Sequence, residues 1–253
     1  MKGGIMKKDF DDIIKLFKDI SSKGYVKAIN NNPYNSCGLT FEHLLNINPN
    51  SSIFPDYKEI EIKTSTRFSN FPVSLFSSTF IGYHEYESDY ILNNYGIYDK
   101  VYKDKKIFNI ALKYNKPVEY GNHYFELRML DDGIVTYVYN QNKILIDKIG
   151  YIDFDTIRTR AEIKVKKMVL IKASKKKENN DLYYRYYQID CYTLKEFENF
   201  IDAIKSGDLR ISVSLRFDRS SNLLGKNRNK GLIFAIRKDG ISSIFKLIDS
   251  KNN

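Results

Sequence analysis

The stretch CGLTFEHLLNINPNSSIFPDYKEIEIKTS, Cys37–Ser65, decides how the rest of the chain is read. Near its end Ile60 and Ile62 alternate with Glu59, Glu61 and Lys63, the period of two expected of a β-strand with one apolar and one polar face. Residues two apart on a strand share a face with Cα atoms roughly 7 Å apart, so Glu61 and Lys63 should project side by side. Asp56 follows Pro55 just ahead of this strand, and a turn at Tyr57–Lys58 would bring its carboxylate beside that of Glu61. Two carboxylates so placed make a hard-oxygen site of the kind Mg²⁺ prefers, with positions left for water and a phosphate oxygen. The Lys63 ammonium would hold or deprotonate a water, or balance charge on a phosphate. Alone, an acid followed by Glu-x-Lys is a weak motif, because an alternating charged strand is commonly a solvated face. Glu59 shares that face and needs no role.

Upstream, Phe10, Ile13, Ile14, Phe17 and Ile20 recur at three- and four-residue spacing and predict an amphipathic helix over residues 6–20. The Asn-rich run Asn30–Ser36 reads as a loop, and Leu39–Leu45 as a short helix ended by the Asn-Pro run at Asn46–Asn50. Residues 65–120 give no clear pattern. Beyond them His123–Leu130, Ile134–Tyr139 and Lys143–Ile149 predict a meander turning at Asp131-Asp132-Gly133 and Asn140-Gln141-Asn142. A helix is expected over Asp155–Ile163, then strands Lys167–Ala173 and Leu182–Cys191 joined by a polar loop, Ser174–Asp181. Thr193 and Glu196 suggest a capping box for a helix with apolar stripe Leu194, Phe197, Phe200, Ile201 and Ile204, closed by Gly207. Leu209–Phe217 and Gly231–Ile236 read as strands around a basic loop, Ser220–Lys230, and Ser242–Ile248 as a short helix. Neither an internal repeat nor a Pro-, Gly- or Ser-rich linker separates independent domains.

At 253 residues, 42% hydrophobic and 28% charged, the chain is ordinary for a globular protein, which excludes wholesale disorder. Its 20 Tyr and 16 Phe suit β-rich packing and contact with nucleic acid alike. A net charge of +10 attracts polyanions, a signal that gains weight only beside a site. Cys37 and Cys191 are the only cysteines, which excludes a thiolate metal site and favours a reduced interior over a disulfide framework. His43, His84 and His123 lack metal-ligand spacing. Asp9, Asp11 and Asp12 interrupt the N-terminal MKGGIMKKDFDDIIKLF, so a signal peptide is not expected, and no run approaches the roughly 18 apolar residues of a membrane span. The expected location is cytoplasmic.

With Gly38, Thr40 and Glu42 added ahead of Pro55, Asp56, Glu61, Lys63 and Thr64, the segment resembles the PD-(D/E)XK nucleases. It is most similar to the MutH-like branch and, within it, the MvaI/BcnI-type restriction endonucleases. Val73–Ser78, Asn94-Tyr95-Gly96, Tyr183–Tyr186, Ile204–Asp208 and Gly231–Phe234 also look like counterparts, in order along most of the chain. The resemblance implies an α/β fold, a mixed sheet flanked by helices, with a restriction-endonuclease-like core and a second DNA-grasping lobe around a cleft. It implies one nuclease unit over 1–253, with 1–100 mainly catalytic and 101–253 mainly strands and basic loops for DNA binding. By the same resemblance Asp56 and Glu61 would ligate one or two Mg²⁺ ions, for which Mn²⁺ substitutes. Lys63 would position the water and Glu42 would assist from its helix.

The activity so implied is Type II restriction cleavage of double-stranded DNA at a short sequence by a monomer, with a cognate methyltransferase acting on the same sequence. A MutH-like nickase that needs a partner, and a non-catalytic duplex-binding protein, stay open. The pattern departs in the last loop, where the family commonly carries histidine in a stretch ending His-Gly-x-x-Phe. Here Lys230 stands in that place and Ala235 follows Phe234. Arg216, Arg219, Lys226, Arg228 and Lys230 remain suited to DNA, whether to phosphates or to base edges, where an arginine on guanine gives about 1–3 kcal/mol of discrimination. Arg158, Arg160, Lys164, Lys166, Lys167 and Lys175–Lys177 form a second basic cluster, either a phosphate-binding surface or an ordinary charged face.

Overall fold

The computed structural model describes residues 8–48, 52–66, 70–217, 226 and 228–252. In chain order the elements are α1 (Asp11–Ser21), β1 (Val26–Lys27), α2 (Ser36–Leu44), β2 (Ile60–Thr66), β3 (Val73–Ser78), α3 (Glu87–Tyr95), β4 (Ile97–Tyr98) and β5 (Lys106–Leu112). There follow β6 (Val118–Tyr120), β7 (His123–Met129), β8 (Gly133–Tyr139), β9 (Leu145–Asp153), α4 (Phe154–Val165), β10 (Lys167–Glu178) and β11 (Asp181–Leu194). The chain closes with α5 (Phe197–Ser206), β12 (Leu209–Leu215), β13 (Gly231–Ile236), α6 (Ile241–Ile244) and β14 (Phe245–Asn252). The mixed α/β class is as expected. No helix among the described residues is long and apolar enough to cross a membrane.

The chain forms two compact units, and neither is a continuous segment. The first comprises residues 1–73, 162–196 and 244–253, the second 74–161 and 197–243. The cause is strand pairing. β2 lies parallel to β10, with Ile60 opposite Lys167, Glu61 opposite Met168 and Lys63 opposite Leu170. A parallel pair cannot be closed by a hairpin and needs a long crossover. That crossover is here the whole stretch from β3 to α4.

In the first unit the five-stranded sheet runs β1-β11-β10-β2, and β14 pairs with β11. Phe10, just ahead of α1, and Ile13, Ile14, Phe17 and Ile20 within it are buried and join Ile60 and Ile62 of β2, Val169 and Ile171 of β10, Tyr184, Tyr186 and Ile189 of β11, and Cys37 and Phe41 of α2 in one core. Both cysteines are buried thiols, pushed up by loss of hydration to about 11 for Cys37 and about 12 for Cys191.

Three expectations are corrected here. The stretch Ser174–Asp181 is not a loop: β10 and β11 continue through it to a tight turn at Asn179-Asn180, whose φ angles of 48° and 67° are left-handed. Asparagine tolerates that conformation, which matches the twist of a hairpin. The polarity of Lys175–Glu178 misleads because this end of the hairpin is exposed. Thr193 does not cap a helix, because it is still in β11 opposite Lys246, and α5 starts at Phe197. The tail is one helical turn followed by a strand, because Phe245–Asn252 completes the open edge of β11.

The second unit holds a sheet in the order β3-β13-β12-β5-β4 and a four-stranded meander, β6-β7-β8-β9, of which the sequence gives the last three strands. α5 ends at Gly207, φ 82°, as expected, and brings Phe200 to 6.0 Å from Phe76, which stacks 4.8 Å from Phe234. Gly231 opens β13 at φ 63°, and a Cβ there would lie 2.3 Å from the Ser78 carbonyl oxygen. Only glycine allows that approach of backbone to backbone. The stretch that gives no sequence pattern is organised by Glu87, a buried carboxylate that accepts bonds from the amides of Tyr83 (3.2 Å), His84 (2.8 Å) and Gly150 (2.6 Å).

Candidate active site

α2 is fitted to β2 by its small residues. A Cβ on Gly38 would meet Thr64 Oγ1 at 3.3 Å, so the helix lies close to the strand. Four residues on, Glu42 shares that helix face, and its Oε1 stands 3.9 Å from the same point. Thr40, only 1% exposed, ties the helix to the preceding chain by accepting from the Ile29 amide at 3.2 Å. The Gly-x-Thr-x-Glu spacing thus has a local cause: a close approach, an anchor and an acid over the strand.

Ahead of β2 the chain reverses tightly. The Tyr57 amide donates to the Ile60 carbonyl at 3.0 Å, the Ile60 amide donates back at 2.8 Å, and Lys58 adopts φ 51°. The reversal brings Asp56 alongside the strand, where its Oδ2 accepts from the Ile62 amide at 3.0 Å. Glu61 is 1% exposed, and its Oε1 accepts from Lys63 Nζ at 2.5 Å. Asp56, Glu61 and Lys63 are therefore brought together as expected. The polar face of β2 is not solvated at Glu61, which is as buried as Ile60 and Ile62 on the opposite face.

A second ammonium completes the group. Lys164, from the last turn of α4, places Nζ 2.9 Å from Glu61 Oε2 and 3.5 Å from Asp56 Oδ1, and donates to the Phe54 carbonyl at 2.6 Å. Glu61 Oε2 is buried, and its contact with the Lys164 ammonium is close but poorly directed for a hydrogen bond. Burial pushes the Glu61 carboxyl up, Lys63 opposes the rise and the charge of Asp56 adds to it. Burial likewise raises Glu42, with Asp56 adding and Lys63 and Lys164 opposing, so Glu42 lies within the field of the group. Among the described residues no three acids, histidines or cysteines stand as a ready-made metal cage. A pair of hard carboxylate oxygens, one of them buried and under-satisfied, fits a divalent cation that takes its other ligands from water and phosphate.

Lys164 belongs to the basic cluster that the sequence leaves open between a phosphate-binding surface and an ordinary charged face, and in the structure its ammonium faces the two carboxylates. Lys167 pairs with Asp9 (2.9 Å) and Glu59 (2.8 Å), giving Glu59 a structural partner, Arg158 lies over the Phe197 ring at 4.8 Å, and Lys176 pairs with Glu178 at 2.8 Å. The available signal was the buried spacing of Ile157, Ala161 and Val165 on α4, which puts Lys164 beside the buried line and not opposite it.

In the second unit Arg216, Lys226, Arg228 and Lys230 are exposed, and Arg219 lies outside the described residues. The Arg228 amide donates to the Arg216 carbonyl at 2.6 Å and the Lys230 amide to the Ser214 carbonyl at 2.9 Å, which prolongs the β12–β13 ladder into this loop. His84 bonds Asp147 at 3.3 Å and stacks 3.6 Å from the Tyr90 ring, and His43 is an exposed residue of α2.

With this geometry in place, the profile of the MvaI/BcnI restriction endonuclease family matches residues 14–245. The chain belongs to that family. It is accordingly a Type II restriction endonuclease, a DNA nuclease. The solved structure of restriction endonuclease MvaI in complex with its cognate DNA substrate superposes with a TM-score of 0.86 at 21% identity, over 95% of this chain and 98% of that one. MvaI in the absence of DNA gives a TM-score of 0.54, also at 21% identity, over 93% and 95% of the two chains. Comparison with curated protein sequences finds no significant match. The family enzyme keeps an acid-acid-lysine group here while the last loop carries Lys230.

Proposed function

We propose that this MvaI/BcnI-family enzyme hydrolyses double-stranded DNA at a short specific sequence, with Mg²⁺ held by Asp56 and Glu61. The observation that carries this reading is the placement of both carboxylates around the Lys164 ammonium, a position that suits a cation, with Lys63 on the other oxygen of the buried Glu61. The bound ion would supply positive charge to the scissile phosphate and acidity to water. The water oxygen forms the new bond to phosphorus, and the bridging ester oxygen leaves with the electron pair and gains a proton. Asp56 is held in orientation by the Ile62 amide, and Glu61 by the strand that carries it. Lys63, paired to Glu61 Oε1, orients the attacking water and meets charge that grows on the phosphoryl oxygens. Glu42 assists from α2 as a third acid in the same field.

Double-stranded DNA as substrate is supported by the cognate DNA in the MvaI complex and by the +10 charge. Arg216, Arg219, Lys226, Arg228 and Lys230 are proposed to contact it, with Arg228 and Lys230 directed to bases or phosphates at the end of the β12–β13 ladder. The enzyme is read as a monomer whose host DNA is protected by a methyltransferase of the same specificity. Mn²⁺ should substitute for Mg²⁺.

Incubation of the purified protein with plasmid and Mg²⁺ should give discrete fragments, and Asp56→Ala should give none while still retarding duplex in Ca²⁺. Relaxed circles without linear product would favour the partner-dependent nickase. Retardation with no cutting in Mg²⁺ or Mn²⁺ would favour a non-catalytic binder. Full cutting by Asp56→Ala would sink the site assignment.

A further inference from the structure

Lys164 has no part in the chemistry described above, yet its ammonium makes three polar contacts within the group. It is 13% exposed at its side chain, contacts both carboxylates on their facing oxygens, and is fixed on its other side by the Phe54 carbonyl. Lys63 reaches the other oxygen of Glu61, Oε1, so the two lysines divide the carboxylate between them. The point between Asp56 Oδ1 and Glu61 Oε2 is where a cation gains from both charges. Without a cation there, Glu61 would be a buried carboxylate neutralised from one side only, which is costly.

We infer that Lys164 is a resident counter-cation that holds the gap between Asp56 and Glu61, so that a divalent ion enters only as the Lys164 ammonium withdraws. This inference rests on the metal-site reading of Asp56 and Glu61. Two cations cannot share that gap, because they repel at contact distance in a poorly hydrated site. Lys164 therefore weakens metal binding to the DNA-free enzyme. The withdrawn ammonium gains a new partner when a phosphate-rich duplex is present, so DNA and metal binding favour one another through this residue, and the coupling is reciprocal. Lys164 is by this account a positioning residue: it acts through the carboxylates and not on the reacting atoms.

The test is Mn²⁺ titration of the DNA-free protein, read by the loss of the free-ion electron paramagnetic resonance signal. Lys164→Met keeps the length of the side chain and removes its charge. It should bind Mn²⁺ about tenfold tighter than the unaltered protein or better, given the strength of a contact ion pair in such a site. Lys164→Arg, which keeps the charge, should stay near the unaltered affinity, a rescue that a packing role alone would not produce. Thermal melting in excess Mn²⁺ gives a second readout: the metal should raise the melting temperature of Lys164→Met more than that of the unaltered protein. If Lys164→Met does not fold without metal, Lys164→Gln replaces it in both measurements. Equal or weaker Mn²⁺ affinity in the neutral variants overturns the inference. The double variant Asp56→Asn/Lys164→Met separates the two failures. Loss of the ion there, with no tightening in Lys164→Met, defeats the Lys164 inference alone. Retention of the ion there defeats the metal-site reading itself.

Discussion

Lys63→Ala should lower the single-turnover rate of plasmid cleavage by about a thousandfold, with duplex binding in Ca²⁺ unchanged. A preorganised charge aimed at the reacting phosphate is worth roughly 10²–10³ in rate, and a proton-handling group roughly 10²–10⁴. In the proposed mechanism Lys63 takes both tasks, and its bond to Glu61 fixes its position. The same bond gives the variant a second phenotype. In the structure Lys63 is the partner of a 1% exposed carboxylate, so truncation should cost about 1–3 kcal/mol in denaturant unfolding. The residual contact of Lys164 with Glu61 keeps this below the loss expected of a fully orphaned buried charge. Near-normal cutting by Lys63→Ala would remove it from the chemistry.

Glu61→Gln should abolish measurable cleavage, a loss of about 10⁴ or more when a metal ligand is neutralised, while making the metal-free protein more stable. The two effects have one origin. Loss of hydration is the largest influence on the Glu61 carboxyl and raises it above its ordinary 4.5, with Lys63 and Lys164 only partly opposing. A carboxyl whose pKa is higher folded than unfolded binds its proton more tightly in the native state. Its burial costs nothing below 4.5, where both states are protonated, and destabilises increasingly as the pH rises through the folded value. A neutral amide of the same shape escapes that cost, so at neutral pH the gain should be on the order of 1 kcal/mol. Comparison of urea midpoints at pH 7 in the presence of a chelator reads it directly. A variant that is several kcal/mol less stable would show that the two lysines outweigh the burial, and that Glu61 serves the fold more than the metal.

These two expectations mark what the sequence could convey. The reversal before β2 and the meeting of Asp56 with Glu61 are legible in the spacing of one short stretch, whereas the part played by α2 is legible only through the family resemblance of Gly38, Thr40 and Glu42. The burial of Glu61 is not, because alternation along a strand tells which residues share a face but not whether something covers it. Lys164 was invisible for a related reason: it reaches the site from a helix about a hundred residues away, through the β2–β10 parallel pairing. The interleaved units follow from the same pairing. Elsewhere polar residues suggest a loop at Ser174–Asp181 and apolar ones a helix at Ser242–Ile248. Strand pairing with β11 overrides local pattern at both places. The basic residues of the second unit are legible as charge, and the position of Arg216, Arg228 and Lys230 on the prolonged β12–β13 ladder comes only from the structure.

Everything in the catalytic account depends on a divalent ion between Asp56 and Glu61. Anomalous diffraction from crystals equilibrated with Mn²⁺ locates it directly. A peak should stand within the roughly 2.0–2.6 Å coordination range of an oxygen of each carboxylate, with Lys164 Nζ moved off that point. No peak there in protein that cuts DNA with Mn²⁺, or a peak ligated by other side chains, would contradict the account.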